Sequence, residues 1–301
     1  MDSGIRRKER QAARDVGNAA THTIIQRRSS PDRRRFRPLT HLALSPTLHR
    51  HSHRRHAMPT LILTPRHTDD AQALWKAASR QGWSIERLPG WRVPDRLRDL
   101  DDAVFYGEAL FAPQIGAALG LRLDNPPEDW LPALPPEYRL REIGLSTLGA
   151  QRARTTPAFV KPPNDKSFPA RVYTGAELPL GYDEDMPVLV AEVVRWRCEL
   201  RCFVLDRRLR TWSLYSREGD LARDSGFASS DEEDAQATAF LQRMLDDPRV
   251  ALPRACVIDV GYIEDRGWAC VEQNAAWGAG LYACDAEQAL EVIRHASVRG
   301  R

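Results

Sequence analysis

Three oxygen-bearing side chains near the end of the chain have the types and spacing of a metal site. Asp259 interrupts the apolar run CVIDVGYI, and Glu272 and Asn274 close a second run, WACVEQN. Residues 264–267 place Asp and Gly between the two runs, which predicts a β-hairpin. Alternation puts Glu272 and Asn274 on one face, and antiparallel pairing brings Asp259 close to them. Such hard oxygen ligands suit Mg²⁺, although an ordinary surface hairpin is the simpler interpretation of this stretch alone.

Further charged residues interrupt apolar, strand-like runs earlier in the chain. They are Lys161, Glu192, Glu199 and Arg201. Charged side chains rarely occupy such positions without partners. Triphosphate chemistry needs this mixture, because Lys and Arg neutralise phosphate oxygens while acidic and amide oxygens hold Mg²⁺ across two phosphates. The pattern therefore points to a triphosphate site.

The order of these motifs resembles that of the ATP-grasp superfamily. The matching features are the Lys of FVKP, the Glu-bearing strand VLVAEVV, the ExR of ELRCFV, the Asp of VIDVGY and the ExN of VEQN. Together they cover about residues 155–284. The closest resemblance is to small ATP-grasp families in which an EVVxW segment precedes ExRCFV.

The resemblance implies nucleotide contacts in the first part of this region. Lys161 would bind α or β phosphate oxygens. Lys166, in the loop after it, would be a second phosphate contact, and a simply solvated Lys166 is the alternative. The segment from Glu192 through Val193 and Val194 would line the adenine pocket with its backbone.

The resemblance also implies roles for the later motifs. Glu192 or Glu199 would be available for the ribose hydroxyls, although Glu199 could instead pair with Arg201 or Arg197. Arg201 would face the γ-phosphate or the transferred group, and with Lys161 it would be the catalytic pair. One or two Mg²⁺ ions would be held by Asp259, Glu272 and Asn274.

The implied protein is a Mg-ATP-dependent ligase that activates a carboxylate as an acyl phosphate for attack by an amine. Its substrates would be small molecules or peptides. The cysteine pattern separately predicts a cytoplasmic location. One departure from the superfamily is the loop PPNDKSFPARV, which has no Gly where a mobile Gly-rich loop usually covers the phosphates. Two alternatives stay open: an ATP-dependent phosphotransferase, and a non-catalytic nucleotide-binding module.

Composition separates the first 57 residues from the rest. They carry 14 Lys and Arg against 4 Asp and Glu, which leaves 30 against 37 for residues 58–301. The body is therefore mildly acidic, which argues against nucleic-acid binding by it. The five Cys include no CxxC pair and are typical of reduced core thiols, and no apolar run is long enough to span a membrane.

We expect residues 1–57 to be disordered, because they combine Arg and His runs with few aromatic residues and no apolar periodicity. The preferred interpretation is an upstream extension that is not native, since a clean strand begins directly after Met58. An organelle transit peptide and a nucleic-acid-binding arm are the alternatives.

The elements that must position the charged residues fall into two halves. Residues 58–150 read as strand, helix, strand, strand and helix, which predicts a small parallel α/β domain with a helical linker. Residues 151–301 read as antiparallel strands with a capped helix after Ser230 and a last helix over AEQALEVIRHASV, which predicts an α+β domain. The motif resemblance implies that this is the ATP-grasp domain. The expected fold is thus an α/β half plus an α+β half, with the nucleotide cleft between β layers.

Overall fold

The computed structural model describes residues 58–98, 100–164 and 166–299. The predicted basic extension, residues 1–57, lies outside the described residues. Within the described part of the chain, no helix is long and apolar enough to cross a bilayer.

A small parallel sheet follows Met58, as the strand and helix order predicts. Its strands are β1 (Thr60–Leu63), β2 (Ser84–Arg87) and β3 (Ala103–Tyr106), in the order β2-β1-β3. Helix α1 (Asp69–Arg80) connects β1 to β2, and α2 (Ala112–Ala118) follows β3. The Thr68 hydroxyl caps α1 by accepting from the Ala71 N–H. Every residue of β1 and β3 is buried, as expected for parallel strands that are covered on both faces.

Short elements lead from this sheet to the second half. They are β4 (Leu121–Leu123), α3 (Trp130–Ala133), α4 (Pro136–Arg139), β5 (Ile143–Thr147) and α5 (Leu148–Gln151). The two single-turn helices α3 and α4 lie in the segment that was predicted to be a helical linker. The strand β5 was not predicted, because its sequence IGLST has little apolar content.

A four-stranded antiparallel sheet, the small sheet, comes next. It contains β5 with β6 (Ala158–Lys161), β7 (Arg171–Tyr173) and β8 (Pro187–Ala191), in the order β5-β8-β6-β7. Because β8 ends at Ala191, Glu192 lies just beyond the strand that was predicted to contain it.

The large sheet has five antiparallel strands. They are β9 (Trp196–Leu205), β10 (Arg208–Arg217), β11 (Asp220–Leu221), β12 (Ala255–Ile263) and β13 (Gly267–Asn274), in the order β11-β10-β9-β12-β13. Helix α6 (Asp231–Asp246) begins with the predicted capping Ser230, whose hydroxyl accepts from the Glu233 N–H. One face of the sheet packs against α6, where Leu200 and Ile258 join Phe240 in a common core.

The opposite face of the large sheet is apolar towards one end of its strands and charged towards the other. Phe203 and Val257 pack into the core of the parallel sheet beside Phe105, together with Leu290 of α7 (Ala286–Arg294). Towards the other end of β9 and β12 the same face carries charged residues. The final strand, β14 (Ser297–Arg299), pairs with β4 and was not predicted, because three residues are too few to give a periodic pattern.

The predicted fold class is confirmed: the protein is a mixed α/β structure whose second half is built on antiparallel sheets. All five Cys are free and buried, including Cys284, which lies outside the strands. The boundary between domains at residue 150 remains a prediction, since the core that contains Phe105 also draws on the second half.

Candidate functional site

The hairpin formed by β12 and β13 places two carboxylates side by side. Asp259 lies directly opposite Glu272, and the register shifts immediately afterwards, between Asp259 and Val260. The Asn274 amide donates to Glu272 Oε1 at 2.9 Å and to Asp259 Oδ2 at 3.1 Å. The three predicted metal ligands therefore form one cluster, as the spacing indicated.

Arg201 completes this cluster from the neighbouring strand. It lies opposite Asp259 in the pairing of β9 with β12. Its guanidinium donates to both carboxylate oxygens, Nε to Oδ1 at 2.9 Å and Nη2 to Oδ2 at 2.7 Å. The Arg201 side chain is 9% exposed and the Asp259 side chain 0%. Because a buried charge is costly unless it is paired, each of the two residues requires the other.

Lys161 reaches the cluster from the small sheet. It is the last residue of β6, and its ammonium forms an ion pair with Glu272 on β13. This contact joins the two sheets, so the charged cluster lies where they face each other. The structure thus brings together five of the predicted site residues: Lys161, Arg201, Asp259, Glu272 and Asn274.

The two neighbouring carboxyl groups have pKa values displaced in opposite directions. Burial raises the pKa of Asp259 to about 6, although Arg201 opposes the rise. Burial also acts to raise the pKa of Glu272, but the Lys161 ammonium and the hydrogen bonds from Lys161 and Asn274 outweigh it and lower the pKa to about 2. At neutral pH both groups are therefore anionic, and Arg201 and Lys161 balance their charge.

The donor types of the cluster fit Mg²⁺, which binds one or two carboxylates and completes its shell with water and substrate phosphates. No three His, Cys, Asp or Glu side chains in the described residues are arranged to hold a metal ion. An ion at Asp259 and Glu272 would therefore depend on the amide oxygen of Asn274 and on oxygens brought by a ligand. The residues present are compatible with such an ion.

Two tyrosines form an aromatic wall beside Arg201. The Tyr215 and Tyr282 rings stack with their centroids 5.3 Å apart, and the Arg201 guanidinium carbon lies 5.3 and 4.8 Å from them. The Tyr215 hydroxyl donates to Glu199 Oε2 at 2.8 Å. Glu199 is therefore held by Tyr215. Arg201, which was predicted as a possible partner of Glu199, pairs with Asp259 instead. Burial raises the pKa of Glu199 above its usual value.

Strand alternation did not indicate that Tyr215 belongs to the site, because the register of β9 and β10 shifts between Leu214 and Ser216. Tyr282 lies two residues after Gly280 and has a positive φ of 45°, which no periodic pattern indicates.

Arg141 is a second functional candidate that the sequence did not reveal. Its guanidinium donates to the carbonyls of Cys270 and Val271 at 2.8 and 3.0 Å, and its carbon lies 4.8 Å from the centre of the Trp196 ring. Burial lowers its pKa to about 10. Gly261 lets the ring lie against β12, since a Cβ there would come within 2.6 Å of Trp196. Arg141 is far from β13 in the sequence, so only the tertiary fold shows this contact.

The connection between the two sheets contains the segment predicted to face adenine. Val193 and Val194 lie between β8 and β9, and Val193 is 48% exposed. Glu192 does not join the cluster: it pairs with Arg266 at 2.5 Å, and that hydrogen bond lowers its pKa to about 2. Lys166 is exposed in the loop after β6 and makes no ion pair with another described residue.

The face of the small sheet that carries Lys161 is mostly apolar. Leu189 lies directly opposite Lys161, and Leu145 lies opposite Leu189. Phe159 shares this face because it is two residues from Lys161 on β6. An apolar surface that ends in a single cation is suited to a flat ring with a phosphate group attached.

Comparisons with known proteins agree with this geometry. The family model described as ATP-grasp domain, R-2-K clade family 2, matches residues 138–292. Comparison with curated protein sequences finds no match. Among solved structures, the chain is similar to D-cycloserine synthetase DcsG, with 13% identity and a TM-score of 0.54 over 78% of this chain and 98% of that one.

Two further structures are similar at lower TM-scores. An ATP-grasp RimK domain protein from Sphaerobacter thermophilus has 15% identity and a TM-score of 0.49, over 78% of this chain and 99% of that one. D-alanine–D-alanine ligase from Bacillus anthracis has 11% identity and a TM-score of 0.45, over 79% and 96%. The fold rests on the first similarity, and the family on the model match across half of the chain. The chain belongs to family 2 of the R-2-K clade of ATP-grasp domains.

Proposed function

We propose that the protein is a Mg-ATP-dependent ligase that joins a carboxylate to an amine through an acyl phosphate. The observation that carries this proposal is the charged cluster between the two sheets, in which Lys161 meets Glu272 beside the buried pair of Arg201 and Asp259. The cluster offers two cations for phosphate oxygens and two carboxylates for a metal ion at one place. That combination suits a transferred phosphoryl group.

ATP would lie between the small and the large sheet. Its adenine would contact the apolar face that contains Phe159 and Leu189, with the backbone of Val193 and Val194 at the edge of the ring. Lys161 would bind phosphate oxygens, and Lys166 would approach them from the loop after β6. The proposed Mg²⁺ ligands are Asp259, Glu272 and Asn274, and the ion would neutralise phosphate charge when bound.

The proposed reaction has two steps. A carboxylate oxygen of the first substrate attacks the γ-phosphorus, the bond to the ADP oxygen breaks, and an acyl phosphate forms. The amine nitrogen of the second substrate then attacks the acyl carbon, a C–N bond forms, the C–O bond to phosphate breaks, and the nitrogen loses a proton to solvent. Arg201, fixed by Asp259, would stabilise the negative charge on the transferred group.

Hydroxylamine tests this reaction, because it captures acyl phosphates as stable hydroxamates. The full chain is incubated with Mg-ATP, hydroxylamine and, one at a time, a panel of amino acids and other small carboxylic acids. The proposal predicts ADP and hydroxamate in equal amounts with at least one acid, and loss of both in Arg201→Lys, whose ammonium cannot donate to Asp259 in two places.

The alternatives give different products in the same assay. A phosphotransferase would yield ADP with a stable phosphorylated product that hydroxylamine does not consume. A non-catalytic module would bind the nucleotide and leave it intact with every acid in the panel. Either result would contradict ligation, and neither would contradict nucleotide binding at the cluster.

A further inference from the structure

A β-bulge lies directly before Glu272 on β13. Asp259 and Val260 are consecutive residues on β12, but the residues opposite them on β13 are Glu272 and Cys270. Val271 is therefore an extra residue that has no partner on β12. The bulge interrupts the alternation of side chains immediately before one of the proposed Mg²⁺ ligands.

This bulge determines which face of the sheet carries Glu272. Two residues that are two positions apart on a regular strand share a face, so Cys270 and Glu272 would point the same way without the bulge. In the structure they point to opposite faces. Cys270 is buried with Val260 in the core that contains α6, whereas Glu272 lies opposite Asp259 and pairs with Lys161. The carboxylate therefore reaches the charged cluster because the strand is bulged.

Arg141 contacts the backbone at the bulge. Its guanidinium donates to the Cys270 carbonyl from Nη1 at 2.8 Å and to the Val271 carbonyl from Nη2 at 3.0 Å. Consecutive carbonyls of a regular strand point towards opposite edges, so one guanidinium reaches both of them only where the strand is distorted. Because β13 is an edge strand, β12 is its only neighbour in the large sheet. The contacts of Arg141 thus supply support that the sheet does not.

The guanidinium of Arg141 is itself fixed by its surroundings. Its Nη1 atom also donates to the carbonyl of Arg139, the last residue of α4, at 3.0 Å. Its carbon lies 4.8 Å from the centre of the Trp196 ring, which in turn lies against Gly261 of β12. All hydrogen bonds that the described structure shows for this side chain go to backbone carbonyls. The contacts therefore suit a residue that shapes the backbone.

We propose that Arg141 is a positioning residue for Glu272. By holding the bulge at Val271, it keeps the Glu272 carboxylate on the face of the charged cluster. This inference rests on the proposed function, because it concerns a ligand of the proposed Mg²⁺. Arg141 acts through Glu272 and not through a contact with the nucleotide.

Calorimetry of the full chain with AMPPNP, run with and without Mg²⁺, tests this role. Arg141→Met should bind at least about tenfold more weakly than wild type with Mg²⁺, and within about threefold of wild type without it. Arg141→Lys keeps the charge and lacks the planar pair of donors, so the same loss is expected. Arg254→Met is the control, because Arg254 lies directly before β12 and pairs with Asp206 at the surface. This variant should bind as wild type does.

Deletion of Val271 tests the bulge itself. It removes the extra residue, so Cys270 and Glu272 become consecutive and point to opposite faces of a regular strand. Glu272 then no longer needs the contact with Arg141. In this background, Arg141→Met should leave the Mg²⁺-dependent affinity within about twofold of that of the deletion alone.

A second readout does not depend on the nucleotide. A carbodiimide joins a Lys amine to a carboxylate that touches it, and mass spectrometry of the digested protein identifies the linked peptides. Wild type should give the link between Lys161 and Glu272. Arg141→Met should lose most of it, and deletion of Val271 should restore it.

Two results would overturn the proposal. AMPPNP affinity that falls equally with and without Mg²⁺ in Arg141→Met would show that Arg141 contacts the nucleotide. An undiminished link between Lys161 and Glu272 in Arg141→Met would show that Glu272 keeps its position without Arg141. If wild type shows no Mg²⁺-dependent AMPPNP binding while the link is lost in Arg141→Met and restored by the deletion, the proposed function fails and the positioning role stands.

Discussion

Arg201 and Asp259 are the most deeply buried ion pair in the described structure, and they lie at the centre of the proposed site. Two hydrogen bonds, at 2.9 and 2.7 Å, fix the guanidinium against the carboxylate. The Gly280 carbonyl and the rings of Tyr215 and Tyr282 hold it on its remaining sides. Arg201 is thus oriented before any substrate binds, which is what stabilisation of a transferred phosphoryl group requires.

The substitution Asp259→Asn should destabilise the fold, because it leaves the Arg201 charge buried without its counter-ion. Breaking a buried pair in this way costs about 3–5 kcal/mol. Urea unfolding at neutral pH measures the change. The matched control is Asp206→Asn, which breaks the exposed pair with Arg254 and should cost less than about 1 kcal/mol. Similar small losses in both variants would show that Arg201 does not depend on Asp259.

At the scale of single residues, the charged side chains of the site were predicted from the sequence more reliably than the partners of those side chains. The turn at residues 264–267 was sufficient to predict that Asp259 lies near Glu272, because hairpin pairing is local. The contact of Lys161 with Glu272 and the position of Arg141 depend on how two sheets pack together. Glu192 shows most clearly where prediction from motifs fails. A motif match predicted that it lies near the nucleotide, whereas the structure pairs it with Arg266.

Among the elements, α6 supports the large sheet from the side opposite the site. Its N-terminus carries a complete capping box, in which Glu233 returns to the Ser230 N–H at 2.9 Å. Glu233 also accepts two hydrogen bonds from Arg217 on β10, at 2.7 and 3.0 Å, so one side chain caps the helix and ties it to the sheet.

This arrangement predicts a specific pH dependence of stability. The Arg217 hydrogen bonds, followed by the contacts with Ser230, outweigh burial and lower the pKa of Glu233 to about 2 from its ordinary value of 4.5. A carboxyl group whose pKa is lower in the folded state stabilises the fold above its unfolded pKa. That contribution, on the order of 1 kcal/mol because the pair is partly exposed, is lost as the pH falls from about 4.5 to about 2.

Urea unfolding of Glu233→Gln and wild type at several pH values checks this prediction. The variant should be less stable at pH 7, and the difference should shrink as the pH falls below about 4.5. Glu232→Gln is the control, because Glu232 lies in the same first turn and has no Arg partner among the described ion pairs. A difference that stays constant with pH would show that the charge of Glu233 is not responsible.

Most long elements were predictable, because each has a pattern of its own. Helix α6 combines a capping Ser with apolar residues at helical spacing, and the strands of the β12 hairpin are apolar runs around an Asp and Gly turn. The short strands β5 and β14 were not predictable. Their three to five residues form strands because β8 and β4 supply hydrogen-bond partners, which is a property of the tertiary fold.

In the described part of the molecule, the small sheet and the large sheet meet at the charged cluster, and a single core unites the large sheet with the parallel sheet. The core that contains Leu61 and Phe105 also contains Val257 of β12 and Leu290 of α7. This packing carries Asp70 of the first half to Gly280 in the second. The segment around Gly280, whose carbonyl accepts from Arg201, is therefore supported by residues of both halves.

Mg²⁺-dependent binding of AMPPNP, measured by calorimetry, tests the central claim most directly. Wild type should bind the nucleotide with Mg²⁺ and at least about tenfold more weakly without it. Glu272→Gln should lose this binding and retain the fold, because its charge faces Lys161 across the two sheets and does not support a core. Glu264→Gln, on the turn of the same hairpin, should bind as wild type does. Wild-type Mg²⁺-dependent affinity in Glu272→Gln would contradict the assignment of the nucleotide site to this cluster.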